Sequence, residues 1–115
     1  RVSWVSFPGL EGDKYHALAE KYMPNGTCGV ISFGVPGGRE KVSAFLDHLK
    51  MVSIATHVAD ARSCTLYPAG TTHRQLTEEQ LIEAGVGIDL VRLSCGIENA
   101  DDIIADLDQA LAAVQ

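Results

Sequence analysis

The most informative stretch of the sequence reads Leu90-Val-Arg-Leu-Ser-Cys-Gly-Ile-Glu-Asn-Ala-Asp-Asp-Ile-Ile-Ala-Asp-Leu-Asp-Gln-Ala-Leu111. Its first part, residues 90–95, is a short apolar run that predicts a β-strand. Asn99 can cap a following helix, whose first turn carries Asp101 and Asp102 at the positive end of the helix dipole. The side chains on the predicted core face of this helix are Ile103, Ile104, Leu107, Leu111 and Val114. The stretch therefore predicts a strand followed by an amphipathic helix.

The remaining segments alternate between strand-like and helix-like patterns. Strand-like runs lie at residues 2–7, 28–35 and 63–67, and the second is nearly continuous in apolar residues, as expected of a central strand. Residues 51–61 are ambiguous, and we predict a short strand there.

Three upstream segments have helical signals. Apolar side chains at helical spacing are Tyr15, Leu18, Ala19 and Tyr22 in the first and Val42, Phe45, Leu46 and Leu49 in the second. Thr77 and Gln80 have the spacing of a capping box, which opens a short third helix that ends at Gly85.

These elements predict one compact domain over residues 1–115. Since each predicted helix is apolar along one face only, the helices should cover a small sheet of four or five strands mainly from one side. We therefore expect an α+β two-layer sandwich. A doubly wound parallel sheet is the alternative, which the small number of strands disfavours.

The composition excludes several classes of function. Of the 115 residues 46% are hydrophobic, and the formal net charge is -6. Because an acidic surface repels phosphate groups, nucleic acids and anionic membranes are unexpected partners. No apolar run approaches the roughly 20 residues of a membrane span, and no signal segment is recognisable, so we expect a cytoplasmic protein.

The cysteines and the first residue of the chain add two expectations. Cys28, Cys64 and Cys95 are widely spaced and odd in number, which indicates neither a disulfide framework nor a metal site, and we expect buried free thiols. Arg1 directly precedes a strand-like run, which suggests a piece of a longer protein.

Arg92 is the most informative single residue. Strand alternation places it on one face with Leu90 and Ser94. A guanidinium among apolar neighbours must reach solvent, an internal carboxylate or an anionic ligand, because an unpaired buried charge is costly. Its planar fork suits a carboxylate ligand. The pattern alone, however, favours the solvent face or an internal acid such as Glu98.

Other candidate sites are weaker. The turn at residues 34–39 precedes a helix, where backbone amides can bind phosphate, but it lacks the glycine spacing of nucleotide-binding loops, which favours a structural turn. His73 lies in a polar loop, and histidine can change charge near neutral pH, but no nucleophile with an acid partner can be assigned. We predict neither a catalytic triad nor a metal site.

Several segments together resemble the Cys/Met-metabolism family of pyridoxal-phosphate enzymes. In chain order they are Trp4-Val-Ser-Phe-Pro-Gly-Leu10, Gly29-Val-Ile-Ser-Phe-Gly34 with Gly37-Gly38, Ser63-Cys-Thr-Leu-Tyr-Pro-Ala-Gly-Thr-Thr-His73, Gly85, and residues 90–111. The Pro-Ala-x-Thr-Thr-His form is more similar to the O-acetylhomoserine sulfhydrylase branch than to the cystathionine synthases and lyases. Two departures are Ala59-Asp60-Ala61, where a glycine often stands, and Tyr67 in place of a frequent histidine.

The resemblance implies the small carboxy-terminal domain of the aspartate-aminotransferase fold, in which helices cover a mostly antiparallel sheet. It implies that Arg92 binds the α-carboxylate of an amino-acid substrate, with Ser63 beside it through its backbone. Thr72 and His73 match a loop near the mouth of the active site. Pyridoxal phosphate would be bound by an amino-terminal domain that is absent from this chain, so we expect the chain alone to be inactive.

We therefore expect the C-terminal domain of an O-acetylhomoserine sulfhydrylase, an enzyme of homocysteine and methionine biosynthesis that replaces acetate with sulfur. Its expected partners are its own N-terminal domain and further copies in a homo-oligomer, a tetramer in the full-length enzyme. Separation from that enzyme should leave apolar surface exposed. The alternatives are a cystathionine synthase or lyase of the same family and a free-standing α+β binding module.

Overall fold

The computed structural model describes residues 1–115, which form one sheet with helices around it. The strands are β1 (Val5–Ser6), β2 (Val30–Gly34), β3 (Ser53–Ile54), β4 (Cys64–Leu66) and β5 (Leu90–Ser94). The helices are α1 (His16–Tyr22), α2 (Gly38–His48), α3 (Glu78–Glu83) and α4 (Ala100–Ala113), and Pro68–Gly70 form a 3-10 turn. None of the helices combines the length and the apolar character that crossing a membrane requires.

The sheet is antiparallel except at one edge. Its strand order is β1-β2-β5-β4-β3, in which only β3 runs parallel to its neighbour β4. This pairing confirms the predicted α+β architecture with a mostly antiparallel sheet. The doubly wound parallel alternative is wrong, because β5, which follows β4 through α3, returns antiparallel to it.

The core lies on the side of the sheet that α2 and α4 cover. Phe33 of β2 and Val91 of β5 are opposite each other in the register and are both buried. Phe33 meets Phe45 of α2 edge to face, with ring centroids 6.0 Å apart. Because side chains alternate along a strand, Ser32 and Arg92, which are also opposite each other, point to the other face.

The buried side of the predicted helices differs from expectation at two places. Helix α1 forms, but Tyr15, Leu18 and Tyr22 are 52%, 51% and 69% exposed, and only Ala19 is buried. In α4, Ile103 is buried whereas Ile104 is 62% exposed. Periodicity identifies a helix and its apolar stripe, but the width of the covered stripe depends on the partner surface present in the chain.

Two smaller expectations also need correction. The strand predicted at residues 2–7 is reduced to β1, whereas the short strand predicted within residues 51–61 is confirmed as β3. All three cysteines are free thiols, but only Cys64 is buried, whereas Cys28 is exposed.

A buried carboxylate connects α4 to the segment between α2 and β3. Asp106 is 6% exposed, and its oxygens accept hydrogen bonds from the amides of Lys50, Met51 and Val52, each at 2.9 Å. Gln109 donates a further bond at 3.1 Å. Burial opposes ionisation, but the bonds from Val52, Lys50, Met51 and Gln109 outweigh it and hold the pKa of Asp106 below its ordinary value.

Candidate functional site

Arg92 lies in the middle of β5, on the face of the sheet opposite to the core. The register places it between Ser32 of β2 and Leu66 of β4. Its Nη2 donates a hydrogen bond of 3.0 Å to the carbonyl oxygen of Thr56, which uses only one of the donors of the guanidinium. The Nε atom is buried and has no hydrogen-bond partner. An unsatisfied buried donor of this kind is destabilising unless a ligand supplies the acceptor.

No carboxylate of the chain neutralises Arg92. The ion pairs in the structure involve Arg1, Arg62, His16 and His57, and none includes Arg92. Glu98 is bound instead by Ser63, whose amide and hydroxyl donate to its two oxygens at 2.7 and 2.8 Å. The Ser63 amide above all, then the amide of Glu98 itself and the Ser63 hydroxyl, lower the pKa of Glu98. The explanation of Arg92 by an internal acid is therefore wrong.

Residues 55–61, here named the covering loop, run alongside β5 and are fastened to it. Besides the bond between Thr56 and Arg92, the amide of Ala59 donates to Ser94 Oγ at 3.0 Å. The amide of Ile97 donates to the carbonyl of Ala61 at 2.9 Å. The hydrogen bond from Arg92 to Thr56 therefore helps to hold the covering loop in place. The same guanidinium is the group that would bind an anion.

Ala59 has a backbone conformation that alanine rarely adopts. Its φ is 58°, and it is the one residue other than glycine with positive φ. For an L-residue this conformation costs about 1–2 kcal/mol, because Cβ approaches the carbonyl oxygen. Alanine at this position, in a segment where the family often has glycine, therefore costs conformational free energy.

Replacing Ala59 with glycine should raise the free energy of unfolding by about 0.5 kcal/mol. Removal of Cβ relieves the strain, and the greater flexibility of glycine in the unfolded chain offsets only part of this gain. Urea unfolding of the two proteins measures the difference. Ala61→Gly is the matched control, because Ala61 lies in the same loop without positive φ and should lose stability. Equal losses in both variants would show that Ala59 is not strained.

Ser63 is completely buried at the start of β4. Its hydroxyl also accepts a hydrogen bond of 2.9 Å from the amide of Gly96, and its carbonyl accepts one from Ser53. Both donors of Ser63 are thus used by Glu98, and neither is directed at Arg92. Ser63 joins β4 to the turn after β5, so a contact between its backbone amide and a substrate would first require displacement of Glu98.

Thr72 and His73 lie in the turns that follow the 3-10 turn. The amide of His73 donates to the carbonyl of Pro68 at 2.8 Å, and its Nδ1 is 2.8 Å from Thr72 Oγ1. Neither side chain is hydrogen-bonded to Arg92. Because β4 and β5 are antiparallel, these residues follow β4 towards the start of β5, at the opposite end of β4 from Ser63.

The structure brings His57 and Asp60 together in the covering loop, directly after the Thr56 carbonyl that accepts from Arg92. His57 Nδ1 lies 3.1 Å from Asp60 Oδ2, and Asp60 Oδ1 accepts a bond of 2.9 Å from the amide of Arg62. The Arg62 amide, then His57 and the Arg62 side chain, lower the pKa of Asp60 to about 2. The only sequence signal for this pair is an acid three residues after a histidine in a loop. Its relation to Arg92 appears only once the covering loop is placed on β5.

The chemistry of the arrangement is that of one guanidinium without an acid partner. It has a guanidinium with one bonded donor and one buried, unpaired donor, on the face of the sheet opposite to the core and under the covering loop. It contains no nucleophile paired with a base, and no three His, Cys, Asp or Glu side chains converge as a metal site would require. The geometry therefore supports ligand binding and orientation, and it assigns no bond-breaking step to this chain.

Comparison with known proteins agrees with this fold. A family model described as Cys/Met metabolism PLP-dependent enzyme matches residues 1–112. The chain is 50% identical over 111 residues to a homocysteine synthase of Schizosaccharomyces pombe, with 96% of this chain and 26% of that protein covered. It is 46% identical over 112 residues to an O-acetyl-L-homoserine sulfhydrylase of Leptospira meyeri, with 96% and 25% covered.

A solved structure shows the same likeness in three dimensions. The crystal structure of cystathionine gamma synthase from Xanthomonas oryzae pv. oryzae superposes with a TM-score of 0.88 at 37% identity, covering 98% of this chain and 29% of that one. The chain spans about a quarter of the length of the curated relatives, at 26% and 25%. Since the family model and the superposition both include nearly the whole chain, it belongs to the Cys/Met metabolism family of pyridoxal-phosphate-dependent enzymes.

Proposed function

We propose that the chain is the C-terminal, substrate-carboxylate-binding domain of an O-acetylhomoserine sulfhydrylase. The observation that carries this proposal is the guanidinium of Arg92, which has no acid partner and a buried Nε without an acceptor. The names of the relatives with 50% and 46% identity support the choice of reaction. The chain aligns with only about a quarter of the length of each of these relatives, which supports its assignment to one domain of a longer enzyme.

The proposed role of Arg92 follows from the shape of its donors. Nε and an adjacent Nη can donate two parallel hydrogen bonds to the two oxygens of a carboxylate. A carboxylate that pairs with the guanidinium exchanges its hydration for a charged, geometrically defined pair. Holding the carboxylate in one orientation places the other bonds of the amino acid relative to the catalytic groups.

The residues of this chain do not fit the cofactor of the family. Its four lysines, Lys14, Lys21, Lys41 and Lys50, are all exposed. Two of them lie over neighbouring tyrosine rings, Lys14 on Tyr15 at 4.8 Å and Lys21 on Tyr22 at 5.0 Å. None offers the enclosed amine that a Schiff base needs. We infer that pyridoxal phosphate is held by an N-terminal domain, with which this chain packs in a cytoplasmic homo-oligomer.

The reaction can be tested on the complete polypeptide that carries this chain. With O-acetyl-L-homoserine and sulfide we expect equal amounts of homocysteine and acetate, measured by thiol titration and by an acetate assay. The cystathionine gamma synthase likeness favours a second candidate, which would instead form cystathionine from an acylated homoserine and cysteine. Cystathionine as the main product with both sulfur sources present would overturn the proposed function in favour of this second candidate. Release of neither product would leave the binding module as the surviving explanation.

A further inference from the structure

An apolar groove of about 190 Å³ lies between α4 and the part of the sheet that includes β1 and β2. All seven residues that line it are hydrophobic. Val5, Phe33 and Leu93 line it from the sheet, and Leu107 and Leu111 line it from α4. An apolar cavity of about 150 Å³ can hold a molecule of the size of benzene. The groove therefore has room for a large aliphatic or aromatic side chain.

The groove lies where the helices stop covering the core side of the sheet. Val5 is opposite Phe33 in the register, so the two side chains are on the same face. Phe33, on which Phe45 of α2 packs, is 6% exposed, whereas Val5 is 45% exposed. On α4, Ile104 precedes Leu107 by one turn and is 62% exposed. The sheet edge and the helix thus both have apolar side chains that nothing in this chain covers.

The first residue of the chain is fastened beside this groove. Arg1 donates hydrogen bonds to the carbonyl oxygen of Asp108, at 3.1 Å, and to its carboxylate. Asp108 lies on α4 between Leu107 and Leu111, and Val2 itself lines the groove. In the proposed enzyme an N-terminal domain precedes Arg1, so the polypeptide would enter this domain at the groove. Consecutive elements of a chain usually lie next to each other in space.

The chemistry of the groove indicates the conformation of a segment that fills it. Because its lining is hydrophobic, it provides no side-chain partner for a buried backbone amide or carbonyl. Such groups must then be bonded within the segment itself, which a helix achieves and an extended segment does not. A helix packed at the usual distance of about 8–10 Å from the axis of α4 would also cover Val5 and Ile104.

We propose that the groove binds the polypeptide segment directly before Arg1, which packs beside α4 as an amphipathic helix with its apolar side chains in the groove. This rests on the proposed function, because it assumes that an N-terminal domain continues into Arg1. Leu93, which lines the groove, follows Arg92 on β5 and points to the opposite face of the sheet. The segment would therefore join the N-terminal domain to the strand that carries the proposed carboxylate-binding arginine.

A second copy of the chain is the rival occupant of the groove. Its helix α1 has the exposed apolar side chains Tyr15, Leu18 and Tyr22, which could enter the groove of a neighbour. The upstream segment is favoured because it is covalently attached beside the groove. It therefore loses no overall translational or rotational freedom when it binds, whereas a separate molecule does.

Photo-crosslinking of the complete protein identifies the occupant without any turnover. Leucine is replaced throughout by photo-leucine, which has nearly the same shape and forms a bond to a neighbouring group on irradiation. We expect peptides with Leu107 or Leu111 to be linked to positions within roughly 20 residues before Arg1, the length of one helix and its connection. Peptides with Leu18, on the exposed face of α1, are the control and should not be linked to this segment.

The size of the cross-linked product distinguishes the possible occupants. The expected links join parts of one polypeptide, so they should be found by mass spectrometry in the monomer band of a denaturing gel. Links from Leu107 or Leu111 to α1, or links confined to the dimer band, would show that a second copy fills the groove. Links only to remote parts of the N-terminal domain, or only within residues 1–115, would equally overturn the proposal.

A thiol in place of Val5 provides a second measurement on the complete protein. In Val5→Cys, an uncharged alkylating reagent should modify residue 5 about 100-fold more slowly in the native protein than in the protein unfolded in urea, because the segment covers it. Mass spectrometry of the peptide that contains residue 5 measures both rates and separates them from modification of the native cysteines. Equal rates in the two states would show that the groove is open.

These readouts separate failure of this inference from failure of the proposed function. A protein that forms homocysteine but gives none of the expected links retains the proposed function and loses the groove assignment. A protein that gives the links but forms neither homocysteine nor cystathionine retains the groove assignment and loses the proposed reaction.

Discussion

Replacing Arg92 with alanine in the complete enzyme should raise the Michaelis constant for the amino-acid substrate by roughly 10²-fold. Loss of a charged, doubly hydrogen-bonded partner of a carboxylate costs about 3 kcal/mol of binding, which corresponds to that factor. Steady-state kinetics with varied O-acetylhomoserine measure it. The visible absorbance of the bound cofactor should not change, because we assign the cofactor to residues outside this chain. The Michaelis constant of Arg92→Lys should lie between those of the unmodified enzyme and Arg92→Ala, since lysine keeps the charge without the planar fork.

Arg39→Ala provides the matched control for Arg92→Ala. Arg39 also donates one hydrogen bond of 3.0 Å from a guanidinium to a backbone carbonyl, that of Ala69, but it lies on α2. Its replacement removes the same kind of structural contact and should leave the Michaelis constant within a factor of about two. Equal Michaelis constants in all three proteins would show that Arg92 only fastens the covering loop. A parallel rise in both variants would point to a general loss of structure.

Replacing Asp106 with asparagine should lower the free energy of unfolding by about 3 kcal/mol at neutral pH. The carboxylate serves three backbone amides and Gln109, and an amide group can present only one oxygen to these donors. At least one buried donor then faces another donor, which is the situation that makes buried hydrogen-bond deletions costly. Urea unfolding should show a midpoint lower by roughly 1–2 M.

Acid should remove the stabilisation of the fold that the ionised Asp106 provides. Its folded-state pKa lies below the ordinary value of 3.8, so between the two values the unfolded chain binds more protons than the folded one. The stabilisation is therefore complete above about pH 3.8 and is lost as the pH falls through the folded-state pKa. The difference in free energy of unfolding between the unmodified protein and Asp106→Asn should stay constant from neutral pH down to this range. At lower pH the difference should become smaller.

Asp108→Asn, in the same helix, separates this effect from a general change of charge. Asp108 is exposed and pairs with Arg1 at the surface, where an ion pair contributes little. Its replacement should change the free energy of unfolding by less than about 0.5 kcal/mol. Similar losses in the two aspartate variants would mean that charge on α4, and not the amides of residues 50–52, explains the stability.

Local patterns predicted the elements whose signals are local. The capping box of Thr77 and Gln80 is formed, and the Asn99 side chain accepts from the amide of Asp101 at the start of α4. These contacts join residues two or three positions apart, so residue types alone indicate them. The alternation along β5 likewise predicted that Arg92 shares a face with Ser94, because period two is a property of any strand.

Contacts between distant segments could not be predicted in the same way. The helical pattern does not distinguish Asp106 from its acidic neighbours, because its contacts with the amides of residues 50–52 join distant parts of the chain. Glu98 was one possible partner for Arg92 from the pattern alone, but it is bonded to Ser63, because the pairing depends on how β4 and β5 align. The exposure of Tyr15 and Tyr22 could not be predicted for the same reason. The spacing of apolar residues identifies the apolar face of a helix, but it does not show whether the chain contains a surface that covers this face.

The two outer strands of the sheet, β1 and β3, are each only two residues long. A free edge is where sheets of separate molecules can join and grow into fibrils, and a short edge offers few unpaired amides and carbonyls for that growth. The uncovered aromatic and aliphatic side chains of α1 can still bring copies together, but through side-chain contact alone. Clusters of this chain should accordingly dissolve on dilution and show no cross-β diffraction.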